Sequence, residues 1–194
     1  MQPPSSIDSK LHSSISTCGG LVAFSDASWR NPDKLGYNMF GYVVYFMGAP
    51  VSFAAKRLKV VAMSSAEAEY AAAAYACKEI VFVRNVLSDL GFRITGPTVL
   101  AVDNQAAIKI AENAGVTARN KHFGDAIHYF RDLVDRHVII PTFVRTKDQC
   151  ADGFTKALGK GDFRVWQRFL LREKNPATDG PTSANVAADE ATAP

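Results

Sequence analysis

From Ser64 to Leu90 the chain carries neither glycine nor proline and is dense in alanine. Those residues favour helix, and a glycine waits at 91 to end it. Ser64 with Glu67 three residues on has the pattern of a capping box: the hydroxyl takes a backbone N–H and the carboxylate reaches back. Along such a helix Glu69, Ala73, Ala76, Ile80, Val83 and Leu87 recur at three or four and share a face. That face is apolar except for Glu69. Glu67 aligns instead with Ala71, Ala74, Lys78 and Asn85, a more polar line, and is expected in water. A carboxylate pointing with a buried stripe requires a partner or a metal ion. Glu69 is therefore the first functional clue.

The elements around this helix set the fold class. Leu21 to Asp26 reads as a strand in which Val22, Phe24 and Asp26 share one side. Residues 30–38 read as a turn, Gly41 to Met47 as a β-prone run and Val51 to Ala55 as a third strand. Their close spacing makes an antiparallel meander. After the long helix, Thr98 to Val102 is a short apolar strand running into Asp103. Asn104 to Asn113 is a helix with Gly115 as its stop, and Asn120 to Asp135 is another. Val138 to Val144 is a fifth strand, where Pro141 indicates a bulge or an edge. Asp148 to Leu158 reads as a short helical piece. Phe163 to Glu173 is a last helix with Trp166, Phe169 and Leu170 on its apolar side. The order β-β-β-α-β-α-α-β-α predicts an α/β fold: a mixed five-stranded sheet, three strands antiparallel and then two parallel, flanked by helices. Residues 1–20 read as a flexible lead or the cut end of a longer chain, 21–173 as the domain, and 174–194 as a disordered tail.

The whole chain narrows the function classes. Its 194 residues suit one domain, and 47% hydrophobic content suits a globular core. No apolar run approaches the ~20 residues a membrane span needs. The N-terminus lacks the basic start and apolar stretch of a secretory signal. Cys18, Cys77 and Cys150 are far apart, which fits reduced thiols inside a cell, cytoplasm or nucleus, better than a disulfide framework. A net charge of +3 permits a nucleic-acid partner without requiring one.

Four acids stand at suggestive places: Asp26 ending the first strand, Glu69 heading the long helix, Asp103 ending the fourth strand and Asp152 opening the piece after the fifth. If strands one and four are neighbours, Asp26 and Asp103 meet, Glu69 packs above them and Asp152 approaches from the C-terminal side. Clustered carboxylates repel and raise one another's pKa, and divalent cations remove that cost. Oxygen donors favour Mg²⁺ or Mn²⁺ over zinc. Each acid also has an ordinary explanation: Asp103 and Asp152 as helix N-caps, Asp26 as a turn residue.

Asp26-Ala27-Ser28-Trp29, Ser64 to Tyr70, Asp103 to Ala107, Lys121-His122 and Gln149 to Leu158, in that order, resemble the ribonuclease H domain of copia-type retrotransposon polyproteins. The resemblance spans about Leu21 to Leu171. It implies a type 1 ribonuclease H fold and cleavage of the RNA strand of RNA–DNA hybrids with two Mg²⁺ (or Mn²⁺) ions. It implies Asp26, Glu69, Asp103 and Asp152 as the catalytic and metal-holding set, and selects Glu69 over Glu67 as the helix face does. It further implies substrate contacts from Ser28, Ser65, Asn104, Gln105, Lys121 and His122, and as partners the hybrid and a reverse transcriptase polymerase domain in a parent polyprotein. The chain is too short to hold that polymerase, so it reads as a fragment of such a polyprotein or a stand-alone remnant.

Three departures from the family pattern stand out. Phe123-Gly124-Asp125-Ala126 displaces an acid and lacks an Arg, Phe53 replaces a common Trp, and Gly153 replaces an aliphatic residue beside Asp152, which is expected to loosen that acid. They motivate the alternative of a catalytically weakened hybrid-binding or interaction module. A third reading, an integrase or transposase core of the same superfold, fits poorly with Glu69 on the first helix.

Overall fold

The computed structural model describes residues 20–29, 37–59, 62–112 and 124–171. Five strands make one sheet: β1 Leu21–Ala27, β2 Met39–Phe46, β3 Ala49–Arg57, β4 Thr98–Val102 and β5 Ile139–Phe143. Their spatial order is β3-β2-β1-β4-β5, with β1–β2 and β2–β3 antiparallel and β1–β4 and β4–β5 parallel. The expected meander and the two helical crossovers are both present, and β1 and β4 are neighbours. Pro141 lies on β5, an edge strand, where a missing N–H is tolerated.

Among the described residues four helices cover the sheet: α1 Ser65–Asp89, α2 Gln105–Glu112, α3 Gly124–Asp135 and α4 Lys160–Leu171. Ser64 caps α1, its hydroxyl accepting from the Glu67 N–H at 3.2 Å. Glu67 reaches back one residue further than a capping box does, accepting from the Met63 N–H at 2.6 Å. At the other end Gly91 has φ +87°, and the N–H groups of Gly91 and Phe92 return to Ser88 and Leu87. This is a Schellman stop, which a residue with a Cβ fits poorly.

The expectation that Glu67 faces water is wrong. Glu67 is buried, and so are Ala71 and Ala74 on the same line; only Lys78 and Asn85 further on are exposed. The first half of α1 is alanine on nearly every side, so β1 and β2 approach it from one direction and α2 and α3 from others. A helix wheel assumes one covered face, and small side chains allow several.

The two faces of the sheet carry separate cores. Leu21, Ala23, Tyr42, Val44, Leu100 and Ile139 pack against α1, α2 and α3. Val22, Phe24, Val43, Tyr45, Val99 and Ala101 pack on the opposite face under Trp166, Phe169 and Leu170 of α4. The helix expected from Asp148 to Leu158 is instead two separate 3-10 turns, Thr146–Asp148 and Asp152–Phe154. Gln149 breaks the run: its side chain is buried, and its Oε1 accepts the Ala151 N–H that a continuous helix would use. Lys160 begins α4 a turn before the expected Phe163. Gly115 lies outside the described residues, as do most of 1–20 and all of 174–194.

Candidate metal-binding site

Alternation along β1 puts Asp26 on the side of Val22 and Phe24. The parallel register pairs Val22 with Val99 and Phe24 with Ala101, so two residues further on Asp26 comes beside Asp103. Glu69, in the second turn of α1, leans over the end of β1, where its Oε1 accepts the Ala27 N–H at 3.2 Å. Asp26, Glu69 and Asp103 each present an oxygen within 4.8 Å of the other two.

The ordinary reading of Asp103 as a helix cap does not hold. Asn104 is the cap: its Oδ1 accepts from the N–H groups of Ala106 and Ala107 at 3.0 and 3.2 Å. That frees Asp103, whose Oδ2 accepts from the Thr146 hydroxyl at 3.0 Å.

Asp26 and Glu69 are 3% and 6% exposed, so neither carboxylate is hydrated as it would be in water. Burial pushes the Asp26 carboxyl up to about 6; a hydrogen bond from Thr155 opposes this, and the charges of Asp152 and Asp103 add to it. Burial, with Asp26 and Asp103 adding repulsion, pushes Glu69 up to about 10. Among the described residues no N–H or hydroxyl reaches the enclosed Glu69 Oε2; the carboxyl faces that of Asp26, and a hydrogen bond between the two raises Glu69 further. A buried oxygen without such a donor costs roughly 1–3 kcal/mol, which a cation in the cluster would remove. Three hard oxygen donors with one orphaned atom fit a divalent ion of the Mg²⁺ or Mn²⁺ kind.

Asp152, the fourth expected acid, is near but not in this cluster. Its carboxylate takes the ammonium of Lys156. The turn that carries it is seated over β1 and β2 at two glycines. Gly41, paired with Asp26 across the ladder, leaves room for Phe154, whose Cβ is 2.3 Å from where a side chain at 41 would begin. Gly153 lies under the Trp166 indole, with ring atoms 2.2–2.4 Å from its absent Cβ. Trp166 Nε1 also donates to the Cys150 carbonyl at 3.0 Å. Gly153 therefore clamps the Asp152 turn to α4, contrary to the loosening expected of it.

Residue chemistry alone had not singled out two supporting side chains. Gln149, 2% exposed, donates from Nε2 to the Ser25 carbonyl at 2.9 Å, tying β1 to the segment before Asp152. The Thr155 hydroxyl reaches both Asp26 Oδ2 and the Asp152 carbonyl. Having one proton, it donates to an ionised Asp26, or accepts from a protonated one and donates to Asp152. Both fall in a stretch with no period; their marks in the sequence are closeness to Asp152 and membership of the Gln149 to Leu158 stretch that carries the resemblance.

The expected substrate contacts divide. Ser65 and Gln105 are exposed, each at the first residue of its helix, α1 and α2. Ser28 is buried, and its hydroxyl accepts from the Met39 N–H at 2.8 Å, joining β1 to β2. Asn104 spends its side-chain oxygen on α2. Lys121 and His122 lie outside the described residues, as does Phe123. Trp29 packs against the first core and donates to the Ala62 carbonyl at 3.4 Å.

No protein-family model matches the chain. It is 37% identical over 145 residues to the retrovirus-related Pol polyprotein from transposon RE1 of Arabidopsis thaliana, covering 74% of this chain and 10% of that protein. It is 32% identical over 160 residues to that from transposon RE2 of the same plant, covering 82% and 11%. The chain thus spans about a tenth of the length of these relatives. Among solved structures, LC11-RNase H1 in complex with an RNA/DNA hybrid matches with a TM-score of 0.50 at 11% identity, covering 69% of this chain and 92% of that one. At that identity the match speaks for the fold.

Proposed function

This chain belongs with the ribonuclease H domains of copia-type retrotransposon Pol polyproteins, and on that premise we propose that it is an endonuclease cleaving the RNA strand of RNA–DNA hybrids. One observation carries the reading: acids far apart in sequence meet at the end of two parallel strands, with a buried Glu69 oxygen that no N–H or hydroxyl of the described residues reaches. Asp26, Glu69 and Asp103 would hold one divalent ion, Mg²⁺ or Mn²⁺, and Asp26 with Asp152 would bound the position of a second. Such ions, when bound, lower the pKa of a water and stabilise the leaving oxygen of a phosphodiester.

The chain's own residues do the rest. Glu69 is held by Ala27, Asp103 by Thr146 and Asp26 by Thr155, so the donor oxygens are oriented before any ligand arrives. Ser65 and Gln105 stand exposed at the heads of α1 and α2; in this proposal they meet 2′-hydroxyls in a shallow minor groove. Lys56 and Arg57, exposed at the end of β3, supply positive charge for phosphates; Lys121 and His122 complete the proposed contacts. In its relatives' context the partner domain would be a reverse transcriptase polymerase.

The test is a 5′-labelled RNA annealed to DNA, with Mg²⁺. The wild-type chain should yield fragments with 5′-phosphate and 3′-hydroxyl ends, and Asp103→Asn should not. Intact RNA at high protein concentration would refute the reading. The pairing of Asp152 with Lys156 favours a second one, a weakened hybrid-binding module, in which binding survives in Asp103→Asn and the parent does not cleave.

A further inference from the structure

The Lys156 ammonium stands where the acid set is incomplete. It pairs with Asp152, four residues earlier, and the hydroxyl of the adjacent Thr155 reaches Asp26. Asp152, Thr155 and Lys156 belong to one short turn, which Phe154 on Gly41 and Trp166 on Gly153 hold against the sheet. The charge is thus delivered by an anchored element. Yet the Lys156 side chain keeps 46% exposure, so it can move aside.

We infer that Lys156 is a resident cation of the second ion position: its ammonium occupies the Asp26–Asp152 side of the site, so the free protein takes one divalent ion, at Asp26, Glu69 and Asp103. A divalent ion at the Asp26–Asp152 side would stand next to this ammonium and be repelled by it. Lys156 is here a positioning residue that sets ion occupancy. The inference rests on the proposal that the three clustered acids bind a divalent ion.

Calorimetric titration of the full chain with Mn²⁺, with electron paramagnetic resonance to count bound ions, tests it. The expected result is one ion for wild type, one for Lys156→Arg, and two for Lys156→Met. The Mn²⁺ concentration needed to fill the second position should fall at least about tenfold in Lys156→Met. Circular dichroism confirms that each variant is folded, which the exposure of the side chain leads one to expect. Two ions in the wild-type protein, or one ion in both wild type and Lys156→Met, overturns this inference alone. No ion in any of them, or binding that Asp103→Asn leaves unchanged, overturns the metal-site reading beneath it and the inference with it.

Discussion

Replacing Glu69 with glutamine should stabilise the metal-free protein and remove its response to Mg²⁺. The Glu69 carboxyl moves from 4.5 to about 10 on folding, mostly through burial. Because the folded value is raised, the folded chain holds a proton the unfolded chain has lost. Stability from this group is full below about pH 4.5 and drains away as pH rises toward about 10. Near pH 7.5, three pH units above the unfolded value, the loss amounts to roughly 4 kcal/mol at one pKa unit per 1.36 kcal/mol. Glutamine resembles the protonated acid, keeps an oxygen for the Ala27 N–H and has no proton to retain. A compact unfolded state and local hydration reduce the gain, so Glu69→Gln should exceed wild type by about 2–4 kcal/mol in EDTA, or roughly 5–10 °C in Tm. The gap should close toward pH 4.5 and widen by up to about 1.4 kcal/mol per pH unit above it. Adding millimolar Mg²⁺ should raise the Tm of wild type and leave the variant unmoved. Thermal denaturation followed by circular dichroism, at several pH values with and without Mg²⁺, measures all of this. A variant less stable than wild type in EDTA near pH 7.5, or a gap that ignores pH, would refute the argument.

Three further outcomes follow from the same geometry. Since Glu69 keeps its proton up to about pH 10 and Asp26 gains one below about 6, Mg²⁺ affinity should fall as pH drops, more steeply below about 6, and near neutral pH titrations in buffers of different ionisation enthalpy should detect proton release from Glu69. Gly153→Ala drives a Cβ into the Trp166 indole and should cost about 1–3 kcal/mol, read as a lower urea midpoint with a red shift in tryptophan emission. Gln149→Leu leaves the Ser25 carbonyl and Ala151 N–H without their partner and should cost about 2–4 kcal/mol, while Tyr45→Phe, losing one buried bond to the Leu170 carbonyl at 2.8 Å, should cost only about 1 kcal/mol; chemical denaturation of each variant checks the ranking.

Periodicity and helix signals were enough for the element order, the antiparallel meander and the α1 limits, because hydrogen-bonding pattern and side-chain direction repeat locally; Pro141 reads in sequence as a bulge or an edge, and the strand order puts β5 at the edge. The apolar stripe on α1 also singled out Glu69, and alternation in β1 put Asp26 with Val22 and Phe24. Contacts from elsewhere in the chain decided the rest. Glu67 is buried because alanine lets several elements close on one helix. Asp103 is free because its neighbour Asn104 won the helix cap, a competition the pair Asp-Asn leaves open in sequence. Gly153 reads as a weakness until Trp166 is seen lying on it. Asp152 stands apart from the three and is paired with Lys156 of its own turn. Sequence determines which groups can be offered and on which side of an element; the energy of a carboxylate depends on what surrounds it within a few ångströms, and only the packed structure supplies those surroundings.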